Sequence, residues 1–228
     1  MTIEIDVVIP TLNAGPSLAR TLASLRGDHD VALTVTVCDG GSNDDGVAIA
    51  RQAGATVVTT QAGRGRQLAT GAAVGSAPWL LFLHADTMLT PGWTKAAARF
   101  VSEPANAARA GYFRLRLDSP DPRARRVERL AAWRCRTLGL PYGDQGLLMA
   151  RAFYRRLGGF HPLPLMEDVE LVRRIGRRHL VALDADAVTS ARRYERGGWL
   201  LRPMRNLGCL MLFFAGLPTP TIRRLYGP

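Results

Sequence analysis

Polar side chains that could bind a phosphate, a sugar or a metal follow four successive apolar segments of the chain. They occupy residues 10–13, 39–45, 63–67 and 84–87. Aspartates such as Asp39 and Asp86 suit a ribose, a base or a divalent metal, and arginines such as Arg66 suit phosphates. Taken together, these residue types predict a pocket for a nucleoside diphosphate and a metal ion.

Most of these motifs also have a purely structural interpretation. Residues 39–45 are all turn-forming types, so the loop could simply be a turn with a helix cap. The glycines of residues 63–65 do not complete G-x-G-x-x-G, because Leu68 stands at the third glycine position. His84 has no second histidine at ligand spacing, which favours a turn or core role. Asp86 follows a buried strand directly, and binding explains a carboxylate there better than a turn does.

A second group of reactive residue types lies in the later half of the chain. Glu167 and Asp168 begin a predicted helix, and Glu170 follows in the same turn. Acids there stabilise the helix dipole by up to about 1 kcal/mol each. Alternatively, one of them is a general base that the dipole keeps ionised. Asp144 and Gln145 lie in a glycine-flanked turn that could contact an acceptor or a diphosphate.

Positive charge is concentrated in the second half of the chain. Residues 1–100 have a net charge of −1 and residues 101–228 of +12, which gives +11 overall. This asymmetry predicts an anionic partner for the second half, such as phosphates, a phospholipid surface or nucleic acid. Arg192 and Arg193 follow a predicted strand and either close over phosphates or are solvated surface charges.

Strands and helices alternate at short spacing before about residue 105. Strands are predicted at residues 3–10, 31–39, 55–60 and 79–83, and helices from Pro16 and at 46–53, 64–74 and 91–101. This order is typical of an α/β fold, a Rossmann-like, mostly parallel sheet with helices on both faces. Later elements are strands at 112–117, 145–150 and 180–187 and helices at 122–138, 167–178 and 199–215. No linker is visible, so a single domain is expected.

Composition narrows the class of protein further. The 228 residues are 47% hydrophobic, which excludes a disordered chain, and three separated cysteines exclude a disulfide framework. The acidic N-terminus is unlike a secretion signal, so a cytoplasmic protein is expected. The longest uncharged apolar run, residues 207–217, is shorter than the roughly 20 residues of a spanning helix. Residues 202–217, basic and then apolar, suit either burial or peripheral contact with the inner face of a membrane.

The motifs, taken in order, resemble family 2 glycosyltransferases, which have the A-type fold. They are Val-Val-Ile-Pro-Thr-Leu-Asn at 7–13, Asp-Gly-Gly-Ser-Asn-Asp-Asp at 39–45, Leu-His-Ala-Asp-Thr at 83–87 and Glu-Asp-Val-Glu-Leu at 167–171. The resemblance covers about residues 3–190 and is greatest to small soluble bacterial members. It implies inverting transfer of a sugar from a nucleotide-diphospho-sugar, with a UDP-sugar favoured.

The resemblance also implies roles for individual residues. The nucleoside would be held by Pro10, Thr11, Asn13 and Asp39. Asp86 would bind Mg²⁺ or Mn²⁺, and Asp168, beside Glu167, would be the base that deprotonates the acceptor. Arg66 and Arg193 are the expected partners of the leaving diphosphate. Residues 1–105 would then form the nucleotide-sugar-binding half, and residues 106–228 the acceptor-binding half.

Two departures from the family pattern affect these expectations. The D-x-D motif is here His84-Ala85-Asp86, so one carboxylate must suffice for the metal, as Mg²⁺ sites completed by phosphates allow. The Gln-x-x-Arg-Trp motif of processive synthases is absent, which favours a single addition. The alternative is a non-enzymatic nucleic-acid or sugar-nucleotide binding protein. The basic second half favours this alternative. A non-enzymatic binding protein leaves the acid-rich loops unexplained, however, so no nucleic-acid partner is expected.

Overall fold

Eight strands form one sheet in the computed structural model, which describes residues 2–26 and 31–226. The strands are β1 Ile3–Thr11, β2 Val31–Asp39, β3 Thr56–Thr59, β4 Trp79–Phe82, β5 Thr87–Leu89, β6 Ala110–Asp118, β7 Leu147–Ala150 and β8 Leu180–Ser190. Their order across the sheet is β3-β2-β1-β4-β7-β6-β8-β5. Four of the seven neighbouring pairs are parallel, among them all those that join β3, β2, β1 and β4.

Ten α-helices are found in the described part of the chain. They are α1 Gly15–Ser24, α2 Gly46–Gln52, α3 Arg64–Val74, α4 Trp93–Ser102, α5 Pro122–Leu138, α6 Arg151–Arg156, α7 Glu167–Ile175, α8 Arg192–Gly197, α9 Leu201–Phe214 and α10 Thr219–Tyr226. Short 3₁₀ helices are Pro104–Ala108, Gly143–Gln145 and Arg177–His179.

Apolar side chains of β1 alternate between two cores, one on each face of the sheet. Ile5 and Val7 pack in one cluster with Leu18 of α1, whereas Val8 packs in the other with Leu68 of α3. A strand that is apolar on both sides must be covered on both sides, since leaving either face in water would forfeit its burial energy. The predicted α/β class, with a mostly parallel sheet and helices on both faces, is confirmed.

Several predicted elements differ in their bounds from those observed. The helix predicted to reach residue 178 ends at Ile175, because Gly176 has a φ of 78° and interrupts the helix. The strand predicted from residue 145 begins at Leu147, since Gly143–Gln145 is a 3₁₀ helix. Four elements were not predicted, and all are short: β5, α6, α8 and α10.

A buried ion pair joins β1 to the start of α6. Asp6 accepts a hydrogen bond from Arg151, and both side chains are buried. The backbone N–H of Ala77 also donates to Asp6 at 2.9 Å, and Arg151 Nε donates to the carbonyl of Ala77 at 2.7 Å. The pair therefore links the first strand to the residues just before β4 and just after β7.

Removing one member of this pair is expected to destabilise the protein strongly. Asp6→Asn leaves Arg151 charged and uncompensated in the core, which should lower the free energy of unfolding by about 3–5 kcal/mol. Asp118→Asn is the matched control, because its pair with Arg20 is exposed and should contribute less than about 1 kcal/mol. Urea unfolding measures both, and equal stability of the two variants would contradict this account.

Candidate functional site

An open cleft of about 790 Å³ lies where β1 and β4 end. Ligands of parallel sheets bind beyond the carboxyl ends of the strands, so this is the expected location. The loop after β1 lines it with Pro10, Thr11 and Asn13, and the loop after β4 lines it with His84 and Asp86. Three of the four sequence-predicted loops meet here, since the loop of residues 63–67 also contributes.

The loop after β1 is fastened to the loop after β2 through Asn13. Its backbone N–H donates to Ser42 Oγ at 2.9 Å, and its Oδ1 accepts from the N–H of Asn43 at 2.8 Å. Asn13 has a φ of 51°, a conformation that asparagine tolerates better than most residues. Thr11 Oγ1, beside it, is buried without a hydrogen-bond partner.

Asp39 does not line the cleft, although it ends β2 as predicted. Its buried carboxylate accepts from the N–H groups of Gly41 and Ser42 at 2.9 and 3.0 Å, and from Ser42 Oγ at 2.5 Å. These contacts build the turn that the structural interpretation describes. A nucleoside contact for Asp39 stays a prediction.

Arg64, and not Arg66, lines the cleft from the start of α3. Arg66 is exposed and donates to Gln61 Oε1. Two residues along a helix turn the side chain by about 200°, so these two arginines point to opposite sides. The sequence already indicated that the two arginines could not share one role. Residue 64 begins the predicted helix, so Arg66, two residues further along, must point away from the side on which Arg64 lies.

Glu167 supports Arg64 from within the protein. It is fully buried, and its Oε1 lies 2.9 Å from Arg64 Nε. Burial raises the pKa of Glu167 to about 7, although the Arg64 charge opposes this rise. A side chain without exposed surface does not contact a ligand in the cleft, so this geometry favours a positioning role for Glu167.

The raised pKa of Glu167 predicts a pH-dependent stability. Glu167 keeps its proton up to about pH 7 in the folded protein, but loses it near its ordinary value of 4.5 when unfolded. The free energy of unfolding should therefore fall as pH rises from about 4.5 to 7, by on the order of 1–3 kcal/mol from this group. Urea unfolding of Glu167→Gln should lack that component, and the exposed Glu4→Gln should retain it. Parallel pH curves for wild type and Glu167→Gln would contradict the prediction.

Asp168 lies in a second, small cavity of about 20 Å³ next to the cleft. Its Oδ2 accepts from the N–H of Gly143 at 2.8 Å. His84 lines both cavities, and a Cβ at Gly143 would overlap its ring. Burial, together with the Arg64 charge, lowers the pKa of His84 to about 4, so the imidazole is neutral at pH 7.

Asp144 stands in the same 3₁₀ helix as Gly143. Its Oδ1 is buried without a hydrogen-bond partner. Burial raises its pKa to about 6; Asp168 and Asp86 add to this rise, and Arg134 opposes it. Asp86 and Asp168 are therefore close enough to Asp144 to raise its pKa.

The side chain of Gln145 forms its hydrogen bonds within the protein. Its Nε2 donates to the carbonyl of Phe113 at 3.0 Å, and its Oε1 accepts from Arg134 Nη2 at 3.1 Å and from the N–H of Tyr142 at 3.3 Å. The side chain thus fixes the turn that carries Gly143 and Asp144, and the predicted acceptor contact stays a prediction.

The residues around Asp86 fit a metal ion that takes only one or two of its ligands from the protein. Among residues 2–26 and 31–226, no three His, Cys, Asp or Glu side chains are grouped closely enough to hold a metal by themselves. Asp86 lines the cleft, and it is near enough to Asp144, whose Oδ1 has no hydrogen-bond partner, to raise the pKa of that carboxyl. Mg²⁺ commonly binds one or two carboxylates and completes its shell with phosphates and water, which this set allows.

Arginines from the C-terminal elements also line the cleft. Arg192 and Arg193 of α8 and Arg223 of α10 line it, and all three are exposed. Arg193 is near enough to His84 for its charge to lower the pKa of the imidazole. Acids from the sheet edge and arginines from the second half therefore face one space.

The fold and this cleft define an α/β protein with a site for an anionic ligand at its strand ends. Residues 6–155 match the model of glycosyl transferase family 2, and the chain belongs to this family. It is therefore a glycosyltransferase, which confirms the resemblance read from the motifs and sets aside the non-enzymatic alternative. No curated protein sequence matches the chain significantly.

Solved glycosyltransferase structures share the fold at low sequence identity. Residues 1–349 of S. aureus TarS are 15% identical, with a TM-score of 0.64 over 98% of this chain and 69% of that one. Glucosyl-3-phosphoglycerate synthase from Mycobacterium tuberculosis, with Mn²⁺, UDP and glucosyl-3-phosphoglycerate, is 19% identical, with a TM-score of 0.59 over 82% and 70%. The mannosyltransferase PcManGT from Pyrobaculum calidifontis, with GDP-Man and Mn²⁺, is 18% identical, with a TM-score of 0.62 over 90% and 60%.

Proposed function

We propose that this glycosyltransferase adds a single sugar, with inversion, from a nucleotide-diphospho-sugar to an acceptor hydroxyl. The observation that carries the proposal is the cleft itself, which Asp86 lines together with Arg64 and Arg193. A nucleotide diphosphate with a metal needs both kinds of group. TarS has been solved with UDP-GlcNAc and PcManGT with GDP-Man and Mn²⁺, which supports a donor of this class; we favour a UDP-sugar.

The two halves of the chain divide the substrates between them. Residues 1–105 supply the strand-end loops, with Pro10, Thr11 and Asn13, and would hold the nucleotide-sugar. Residues 106–228 supply α8, α10 and the Tyr142–Gly146 turn, and would hold the acceptor. The absent Gln-x-x-Arg-Trp motif supports a single addition.

The chemical step follows from these positions. The acceptor oxygen attacks the anomeric carbon and forms the new C–O bond, while the bond from that carbon to the diphosphate oxygen breaks. Asp168 takes the acceptor proton, which requires the acceptor hydroxyl to reach Asp168 where the small cavity adjoins the cleft beside His84. Arg64, held by Glu167, and Arg193 stabilise the charge that develops on the nucleoside diphosphate. Bound at Asp86, Mg²⁺ or Mn²⁺ would supply Lewis-acid stabilisation of the same leaving group.

A nucleotide-binding panel tests the donor side of this proposal. We expect one of UDP, GDP, dTDP and CDP to raise the melting temperature, and to do so more strongly with Mn²⁺. The nucleotide base of the diphosphate that raises the melting temperature identifies the donor class. Absence of a shift with every diphosphate, in a sample that unfolds cooperatively, would contradict the proposal.

A further inference from the structure

Helix α9 exposes a continuous apolar stripe to solvent. The stripe consists of Leu200, Met204, Leu207, Met211 and Phe214, each between 46% and 70% exposed. Their spacing alternates between four and three residues, so all five lie along one face of the helix. Isolated exposed apolar residues are common on protein surfaces, but five in one row indicate a binding surface.

The opposite face of α9 is already packed against the protein. Cys209 and Leu210 are buried in a cluster with Leu140, Leu165 and Ile222. The helix is therefore seated by its inner face, and the stripe is not needed to hold α9 in place. The sequence had left burial and surface contact open for residues 202–217, and the structure buries one face of the helix and exposes the other.

The segment of chain that carries the stripe has only positive charges. Residues 196–228 contain five arginines and neither aspartate nor glutamate. Arg196, Arg205 and Arg224 are exposed. Two copies of the chain that met through this stripe would bring arginines together with no acids to pair them, whereas anionic phospholipid headgroups would neutralise them.

Helix α5 is amphipathic too, and apolar clusters connect residues at its two ends to the region of α9. Ala124 of α5 belongs to an apolar cluster with Trp199, and Leu140, just after α5, belongs to the cluster of α9. The outward side of α5 exposes Leu130 and Trp133 among its own arginines. Tryptophan, arginine and aliphatic residues together are typical of helices that lie in the bilayer interface.

We infer that α9 is a membrane-docking surface that lies flat on an anionic phospholipid bilayer, with the stripe among the acyl chains and the arginines at the headgroups. Reversible association of this kind needs no spanning segment, and no helix in the described part of the chain is long and apolar enough to span a bilayer. Arg223 of α10, the helix that packs on α9, also lines the cleft, so docking places the cleft mouth near the bilayer. The inference is independent of the transfer chemistry.

Flotation with lipid vesicles tests this surface. The purified protein should float with phosphatidylcholine vesicles that contain phosphatidylglycerol, and much less with phosphatidylcholine alone. Leu207→Gln should weaken partition on the order of tenfold, because an apolar side chain no longer enters the bilayer. Arg205→Gln should weaken it by roughly fivefold. Both residues are exposed, so neither change should affect folding.

Two exposed residues elsewhere provide matched controls. Val74→Gln at the end of α3 and Arg51→Gln in α2 make the same kinds of change outside this surface, and both variants should float like the wild type. Failure of the wild-type protein to float would overturn the inference. So would a dimer in sedimentation analysis that Leu207→Gln dissociates, because the stripe would then be an interface between copies.

Discussion

Asp86→Ala should reduce turnover by at least about 10²–10³-fold and should abolish the effect of Mn²⁺ on nucleotide binding. Asp86 is the acid that the loop after β4 presents to the cleft, and the first acid of the D-x-D pattern is His84 here. The pKa of His84 is lowered to about 4, so its imidazole is neutral at pH 7 and cannot replace the charge of the lost carboxylate. Nucleoside diphosphate release measures turnover, and thermal shifts with and without Mn²⁺ measure binding.

Asp184→Ala is the control for this experiment. Asp184 is exposed on β8, outside the cleft, and its ion pair with Arg114 is solvated. Its removal should change neither turnover nor the response to Mn²⁺. Full activity of Asp86→Ala, or an unchanged response to Mn²⁺, would remove Asp86 from the role assigned to it.

Asp168→Asn should lower kcat by about 10²–10⁴-fold while nucleotide binding stays as in the wild type. An amide has nearly the same shape as the carboxylate, and its oxygen can still accept the N–H of Gly143, so the turn beside His84 should persist although the bond from the Val169 N–H to the other carboxylate oxygen is lost. What the amide cannot do is take a proton from the acceptor. The expected combination is therefore normal binding with lost turnover.

Glu170→Gln separates this effect from a general disturbance of α7. Glu170 lies in the same first turn and pairs with Arg174, so its neutralisation removes a helix-dipole interaction without touching either cavity. This variant should retain turnover. A Glu170→Gln variant as inactive as Asp168→Asn would indicate that acids at this helix start are structural.

The parallel half of the fold was predictable because its strands are apolar on both faces. β1 and β2 bury most of their residues, and such runs are difficult to mistake for surface segments. The three-residue β5 and the six-residue α6 and α8 are too short for a period to be read from the sequence. Their existence depends on pairing and packing with distant segments.

The site was predicted by residue type, but only partly by side-chain direction. Asp86 and Arg193 line the cleft as expected. Asp39 and Gln145 instead form their hydrogen bonds with backbone groups near tight turns. Polar side chains beside a turn readily bond to such nearby backbone groups. The pairing of Arg64 with Glu167 joins residues about a hundred positions apart, which only the folded chain brings together.

The anomeric configuration of the first product tests inverting glycosyl transfer most directly. With an α-linked nucleotide-sugar of the base found by the binding panel, and with water as acceptor, proton NMR should detect the β-sugar first, together with the nucleoside diphosphate. The β-anomer is expected because the acceptor attacks from the face opposite the leaving diphosphate. An α-sugar as first product would contradict inversion.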